Sequence, residues 1–209
     1  MNTNLWDRIE QARAQYNVLE HPFYQRWSMG ELSREELAHY SGQYRYATEA
    51  IAKLSTDIAA HAPEGERAGL EAHAVEEHDH IAMWDGFVDA VGGTVGAEPN
   101  QETLECVESW TKADGFGPQL ARMYAIESGQ PAISKTKTEG LGEHYGITDA
   151  PGNLYFTVHQ EMDVHHAAEG RKLIERHMNE FSEDELVAAA EEAFKANWLL
   201  LDGVEKARA

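Results

Sequence analysis

The chain of 209 residues carries 37 acidic and 17 basic residues, and its net charge of −20 argues against a nucleic-acid partner because such a surface repels phosphate. Cys106 is the only cysteine, which excludes an intrachain disulfide, a cysteine-based zinc site and an iron–sulfur cluster held by this chain alone. No apolar run approaches the roughly 20 residues that cross a bilayer, and the first residues, MNTNLWDRIEQ, lack the basic and apolar regions of a secretory signal. We therefore expect a cytoplasmic protein without a membrane partner, in which histidine and carboxylate have to hold any metal.

Apolar residues recur at helical spacing along the whole chain, and they predict a single all-α domain over residues 1–209. Seven helices are expected, the fifth kinked at its proline, Pro131: 4–18, 34–61, 65–91, 99–112, 117–144, 153–178 and 183–205. A serine followed three residues later by glutamate forms a capping box at Ser33 and again at Ser182, where the second and the last helix begin. The joints are short and strand alternation is absent, so the pattern favours a helix bundle.

The segment HQEMDVHH, residues 159–166, lies inside the sixth predicted helix and carries an unusual set of polar residues. His159, Asp163 and His166 stand at positions i, i+4 and i+7, which share one face of a helix that turns about 100° per residue. His165 points away from that face. Two imidazoles and one carboxylate on a common face are suited to binding a metal, and the alternative is a solvated polar face.

A second cluster, EAHAVEEHDH, occupies residues 71–80 of the third predicted helix. Glu77 precedes His80 by three residues, and Glu-x-x-His is the spacing at which helix bundles present a carboxylate and an imidazole to a di-iron centre. Glu76 precedes His80 by four residues, and His73 precedes it by seven and lies on a similar face. Acidic surface helices often contain this spacing by chance, so the motif alone is a weak signal.

A third candidate is Glu127, which follows the apolar residues of RMYAIE in the fifth predicted helix. Burying a carboxylate there is costly unless it is paired, neutral or bound to a cation, although Glu127 could equally lie on the polar side of the helix. Histidine and carboxylate sites without thiolate suit non-haem iron or manganese. The candidate ligands are three imidazoles and three carboxylates from three helices: Glu77, His80, Glu127, His159, Asp163 and His166.

Three longer stretches of the chain match a known family: HPFYQRWSMGELSREELAHYSGQY, YAIESGQPAISKTKTEGLGEHYGI and YFTVHQEMDVHHAAEG. They resemble the haem-oxygenase-like di-iron oxidases, which are seven-helix relatives of TenA and PqqC that bind metals rather than haem. Within that group the chain most resembles the CADD-type 4-aminobenzoate synthases. The resemblance implies a TenA/PqqC-like bundle, two divalent metals (two irons, or iron and manganese), the use of O2 and an external reductant, and a homodimer.

The resemblance also implies that the protein consumes its own side chains. In that family a tyrosine becomes the ring of 4-aminobenzoate, which feeds folate synthesis, and a lysine supplies the amino nitrogen. Tyr24 and Lys137 stand at the matching positions, and Tyr40 stands where the family keeps a further tyrosine as a radical relay. From the residues alone, Lys137 could equally be an ordinary surface lysine and Tyr24 a core aromatic.

Two departures from the family pattern leave points open. The gap between the first glutamate ligand and its histidine is shorter here, so the first ligand could be Glu77, Glu76 or Glu71. Ile126 stands before Glu127, where some members have an aromatic residue.

Other functions also remain open on the sequence. One is an oxidase on the same scaffold that acts on a free amino acid or fatty acid. A second is thiamin salvage as in TenA, for which Cys106 is the only candidate nucleophile. A third is a metal-binding or partner-binding protein without turnover.

Overall fold

The computed structural model describes residues 4–208, and within that range all regular secondary structure is helical, with no strand. Its α-helices are α1, Leu5–Gln15; α2, Pro22–Ser28; α3, Arg34–His61; α4, Glu64–Val91; α5, Gln101–Trp110; α6, Phe116–Glu127; α7, Gln130–Gly140; α8, Leu154–Arg176; and α9, Glu183–Lys206. Short 3₁₀ turns cover Val18–Glu20 and Met178–Glu180, and a π-helical turn covers Leu141–Tyr145. None of the helices between residues 4 and 208 is long and apolar enough to span a membrane.

The start of α3 follows the predicted capping box. The Glu36 backbone N–H donates to Ser33 Oγ at 3.1 Å, and the Ser33 backbone N–H donates to Glu36 Oε2 at 2.7 Å, so two otherwise unpaired donors are satisfied. At the last helix the prediction of a capping box is wrong. Helix α9 does begin at Glu183, but the Ser182 side chain makes no capping hydrogen bond.

The predicted helix 117–144 is two helices, α6 and α7, separated at Ser128 and Gly129. Pro131 lies in the first turn of α7. A proline is tolerated there because the N–H that it lacks has no partner in a first turn, so it begins a helix instead of kinking one. The π-helical turn then leads out of α7 to Gly146, whose φ of 69° ends the helical run.

Helix α2 was not expected from the sequence, because seven residues are too few for a clear apolar period. It begins with Pro22 in its first turn, and His21 Nδ1 accepts the Phe23 backbone N–H at 3.1 Å as the N-cap. The extra helix and the divided one bring the count within residues 4–208 to nine α-helices, against about seven expected.

Helices α3 and α4, of 28 residues each, form the longest packed pair, and α8 packs against α4, α6 and α7. The core between them is rich in aromatic residues, and Trp27, Trp84 and Phe87 are fully buried in it. This packing directs the inner faces of α4, α6 and α8 toward one another, and those are the helices that carry the candidate ligands.

Candidate metal centre

The six candidate ligands meet between α4, α6 and α8. Five of them are buried, and the side chain of His166 is 12% exposed. Glu77 lies at the middle of the group, with its Oε1 3.3 Å from His80 Nδ1. The structure therefore brings together residues that are 89 positions apart in the sequence, from Glu77 to His166.

Two overlapping groups of side chains could each hold a cation. In the first, ligand atoms of four residues lie within 4.8 Å of one another: His73, Glu77, Glu127 and His166. In the second, the same limit is met by Glu77, His80 and His159. Because Glu77 belongs to both groups, its carboxylate could contribute to holding a cation in either of them.

Asp163 lies beside these groups but belongs to neither. It is 1% exposed, and its Oδ1 is 3.5 Å from His166 Nδ1. Burial raises the pKa of its carboxyl to about 7, and the charges of Glu127 and Glu77 add to that effect. A neighbouring cation would reverse this effect and favour the carboxylate form.

Buried polar atoms without a hydrogen-bond partner are concentrated at this place. They are His73 Nε2, His80 Nδ1, Glu127 Oε1, both carboxylate oxygens of Asp163, and His166 Nδ1. Such atoms are rare in folded proteins because burial removes their hydration, and here neighbouring ionisable groups offset that loss only in part, as Glu127 Oε1 does at 2.9 Å from His73 Nε2. Imidazole nitrogens and carboxylate oxygens are all metal ligands, so divalent cations would satisfy the whole set. The residues present therefore fit a dinuclear centre.

The two ends of the centre differ in protonation. Burial lowers the pKa of His73, but the carboxylates of Glu127 and Glu77 outweigh it and raise that pKa to about 11. Burial also lowers the pKa of His159, to about 4, and His80 contributes to the same shift. Without metal, His73 therefore carries a proton near neutral pH and His159 does not.

The orientation of His159 is set by a backbone contact. Its Nδ1 lies 2.6 Å from the carbonyl oxygen of Tyr155, which can only accept, so Nδ1 carries the hydrogen and the lone pair of Nε2 is free for a cation. Tyr155 also stacks on the imidazole, with 3.8 Å between ring centroids. These two contacts hold the ring in one position.

The three glutamates that the sequence could not separate are in different environments. Glu77 is buried among the imidazoles, whereas Glu71 is exposed. Glu76 is half-exposed, and its Oε2 lies 3.2 Å from His166 Nε2 at the edge of the centre. The geometry favours Glu77 as the carboxylate that α4 contributes to the interior.

Lys137 is buried in a cage of aromatic rings. The distances from its Nζ to the five ring centroids are 4.8 Å for Tyr44, 5.0 Å for Phe156, 5.2 Å for Tyr40 and Trp84, and 5.5 Å for Tyr24. Burial lowers the pKa of the Lys137 amine well below its usual range. The environment is thus unlike that of a surface lysine, and the structure brings together all three residues predicted to be catalytic.

Tyr24 and Tyr40 are both buried, and burial raises the pKa of each phenol well above its usual value. Both side chains are therefore neutral phenols at physiological pH. Tyr24 is at the same time a core aromatic residue. Its ring packs edge-on against Phe23, with 5.6 Å between the ring centroids.

A short series of rings connects the cage with the centre. Trp84, one wall of the cage, lies 4.9 Å from Tyr155, which in turn stacks on His159. Neither Trp84 nor Tyr155 was predicted from the sequence. Spacing could have indicated them, since each lies four residues from a candidate histidine, Trp84 after His80 and Tyr155 before His159.

A cavity of about 580 Å³ opens the centre to solvent from another direction. His73, Glu127 and His166 line part of it, and its other walls combine apolar residues such as Leu120 and Met123 with charged ones. The residues of the lysine cage form a separate set from those that line this cavity. Small molecules could therefore reach the centre without passing through the cage.

Cys106 is completely buried in α5, and burial raises the pKa of its thiol. A protonated, inaccessible thiol is a poor nucleophile, so the structure does not favour cysteine-dependent hydrolysis.

A family model described as iron-containing redox enzyme matches residues 34–198. The chain belongs to this family. A protein from Chlamydia muridarum (strain MoPn / Nigg), named 4-aminobenzoate synthase, is 30% identical to it over 97% of this chain and 90% of that protein.

Solved structures show the same architecture. A domain of unknown function with a heme oxygenase-like fold from Shewanella denitrificans has a TM-score of 0.81 at 17% identity, covering 100% of this chain and 94% of its own. A TenA homolog from Pseudomonas syringae pv. tomato has a TM-score of 0.78 at 18% identity, covering 97% and 91%. The predicted haem-oxygenase-like, TenA-like bundle is thereby confirmed.

Membership of the iron-containing redox enzyme family agrees with the chemistry of the donor atoms. Imidazole and carboxylate ligands without thiolate are typical of non-haem iron. The family match includes α4, α6 and α8, so all six candidate ligands lie within it.

Proposed function

We propose that this protein is a dinuclear oxygenase, with two irons or with iron and manganese, that makes 4-aminobenzoate from the side chain of Tyr24. Lys137 is the proposed amino donor, and O2 and an external reductant complete the reaction. The observation that carries the proposal is the position of Lys137, whose buried amine faces Tyr24 and Tyr40. The 30% identity to a 4-aminobenzoate synthase supports the same assignment.

The proposed metal ligands are those of the predicted set: Glu77, His80, Glu127, His159, Asp163 and His166. Five buried polar atoms without a hydrogen-bond partner, on His80, Glu127, Asp163 and His166, support this assignment. When bound, such a metal pair supplies the oxidising power to remove an electron from a phenol in the presence of O2. Glu77 would help to hold both cations, because it is common to both ligand groups.

The protein's own side chains prepare the reacting groups. Burial keeps the Lys137 amine neutral, which is the form in which lysine is a nucleophile. The aromatic cage excludes water around the amine and holds it at 5.5 Å from the ring of Tyr24. Tyr40, at 5.2 Å from the same amine, is the proposed relay for the radical.

The test is a single-turnover reaction without added substrate. Purified protein given Fe(II), reductant and O2 should release 4-aminobenzoate at less than one equivalent per chain, and the chain should lose mass at Tyr24. Tyr24→Phe should release none. Tyr46→Phe is the matched control, because Tyr46 donates its hydroxyl to the Ala97 carbonyl at 2.6 Å, outside the cage. Continued release by the Tyr24 variant would end the proposal.

A second candidate is an oxidase on the same scaffold that acts on a free amino acid or fatty acid. The cavity beside His73, Glu127 and His166 favours it, because a small acid or amine would fit there. Many turnovers on an added substrate, retained in Tyr24→Phe, would support this function over the first. A metal-binding protein without turnover would take up the metals and show neither reaction.

We also propose that the protein forms a homodimer, as the resemblance to the CADD-type group implies. Sedimentation equilibrium of the metal-loaded chain should give twice the mass of 23.4 kDa. A mass of one chain at micromolar concentration would contradict it.

A further inference from the structure

We infer that His73 is a direct metal ligand, and that α4 and α8 present the metals with the same motif in pseudo-twofold arrangement. This inference rests on the proposed dinuclear centre. It adds a fourth imidazole to the three that the sequence predicted, and it places that imidazole at the end of the centre that faces the cavity.

The first observation is in the sequence of the two helices. Helix α4 reads His73-x3-Glu77-x2-His80, and α8 reads His159-x3-Asp163-x2-His166. Each has the order imidazole, carboxylate, imidazole at positions i, i+4 and i+7, which share one helix face. His73 therefore holds the same place in its motif that His159, a proposed ligand, holds in the other.

The second observation is the way the rings pair across the two helices. His73 faces His166, with 4.2 Å between ring centroids, and His80 faces His159, with 4.4 Å between centroids. The first residue of each motif thus meets the last residue of the other. A twofold axis between α4 and α8 would exchange the two pairs, so each end of the centre has one imidazole from each helix.

The third observation is the contacts of His73 itself. Its Nε2 lies 2.9 Å from Glu127 Oε1 and 3.4 Å from Glu77 Oε1, yet it has no hydrogen-bond partner. The nitrogen is thus directed into a group of ligand atoms, at ion-pair distance from Glu127 but without the geometry of a hydrogen bond to any of them. A cation shared with Glu127 and Glu77 would satisfy all three.

Glu127 breaks the twofold relation, because α6 contributes a carboxylate at the His73 end only. The end at the cavity therefore has two imidazoles and one carboxylate in addition to the shared Glu77. The inner end has two imidazoles in addition to Glu77. The two positions are chemically different, and removal of His73 should affect the outer one.

The competing role for His73 is that of a protonated counter-ion to Glu77 and Glu127. The two roles predict opposite effects on metal uptake. Loss of a ligand weakens binding, whereas loss of a competing positive charge leaves binding unchanged or strengthens it. Replacing His73 by glutamate also distinguishes the two roles. A glutamate can coordinate a metal, but its negative charge cannot neutralise the carboxylates of Glu77 and Glu127.

The experiment is anaerobic titration with Co(II) and with Fe(II), followed by removal of free metal and elemental analysis. The wild-type protein should retain two metals per chain and His73→Gln one, and His73→Glu should recover the second. His78→Gln is the matched control on the same helix, because His78 is exposed and bonds the Ala74 carbonyl. Circular dichroism of each variant establishes that α4 has folded.

Retention of two metals by His73→Gln, or failure of His73→Glu to recover the second in a folded protein, would overturn the assignment. A wild-type protein that retains a single metal would instead refute the dinuclear centre. In that case the His73→Gln variant still decides the role of His73, because loss of the single ion supports ligation and its retention excludes it.

Discussion

At Lys137, the fold places an amine among five aromatic rings and away from water. Burying such a group is unfavourable unless it is neutral, so its presence in the core is better explained by reactivity than by stability. The same residue shows the limit of sequence reasoning. Position within SKTKT suggests a surface lysine, and only the rings that α2, α3, α4 and α8 place around its amine make it a buried one.

Replacing Lys137 by methionine should abolish 4-aminobenzoate formation without lowering the melting temperature. The unfolded lysine is protonated below its ordinary pKa while the buried amine is not, so folding releases a proton and the wild-type protein gains stability as pH rises. The stability advantage of the variant should therefore increase as pH falls below the usual pKa of lysine. Lys135→Met, at an exposed position of α7, is the control and should keep full activity. Product from Lys137→Met would exclude lysine as the amino donor.

The affinity for metal should increase with pH. Metal ligands must be deprotonated, and the raised pKa values of His73, about 11, and Asp163, about 7, mean that both hold protons at pH 6. The proton on His73 alone should make the affinity about tenfold tighter for each pH unit, and Asp163 should steepen the slope below pH 7. Titration of Co(II) in buffers of different ionisation enthalpy counts the protons released. Affinity that is independent of pH would contradict these protonation states.

Among the helices, α2, which carries Tyr24, packs against α7, which carries Lys137. Trp27 Nε1 donates to the Lys137 carbonyl at 3.3 Å, and the indole lies against Gly140, where a Cβ would come within 2.6 Å of the ring. The long helices α3, α4 and α8 could be predicted from apolar spacing, but α2 and the break before α7 could not. A helix of seven residues has too few turns for a period, and a proline can as well begin a helix as bend one.

Gly140→Ala should separate α2 from α7. The added methyl group overlaps the Trp27 ring, and we expect a loss of about 1–3 kcal/mol in the free energy of unfolding, as for other overpacked cores. Product yield should fall because the ring of Tyr24 shifts from the amine. Gly142→Ala is the matched control, since its Cβ would meet only Thr148 at an ordinary 3.7 Å. Equal denaturation midpoints for the two variants would show that the contact has no such role.

For the molecule as a whole, the decisive feature is the convergence of α4, α6 and α8 on one buried site. Helical spacing predicted which residues share a face, and the structure brings all six candidate ligands together. Spacing placed His73 on the same face as His80, but it could not show that His73 lies beside Glu127 and His166 or that Asp163 lies outside both ligand groups, because those facts depend on how α4, α6 and α8 pack. The lysine cage likewise depends on rings from four helices.

Metal binding should stabilise the folded protein. The ligands come together only in the folded state, so a metal at about 100 times its dissociation constant adds about 2.7 kcal/mol, or roughly 5–10 °C in melting temperature for a chain of this size. Anaerobic calorimetry with and without Mn(II) measures the shift. Glu77→Gln removes the carboxylate common to both groups, so this variant should lose most of the metal-dependent shift in melting temperature. A shift equal to that of the wild-type protein would argue against a shared role for Glu77.

Tyr24 is only 3% exposed and packs against the rings of Phe23 and Trp27. If the reaction removes its ring, a void the size of a benzene molecule is left in the core. Cavities of that kind cost about 3–5 kcal/mol, a large share of the 5–15 kcal/mol that holds a typical domain folded. The protein that has reacted would thus be less stable to unfolding than the unreacted protein. Proteases could therefore degrade it in preference to unreacted copies.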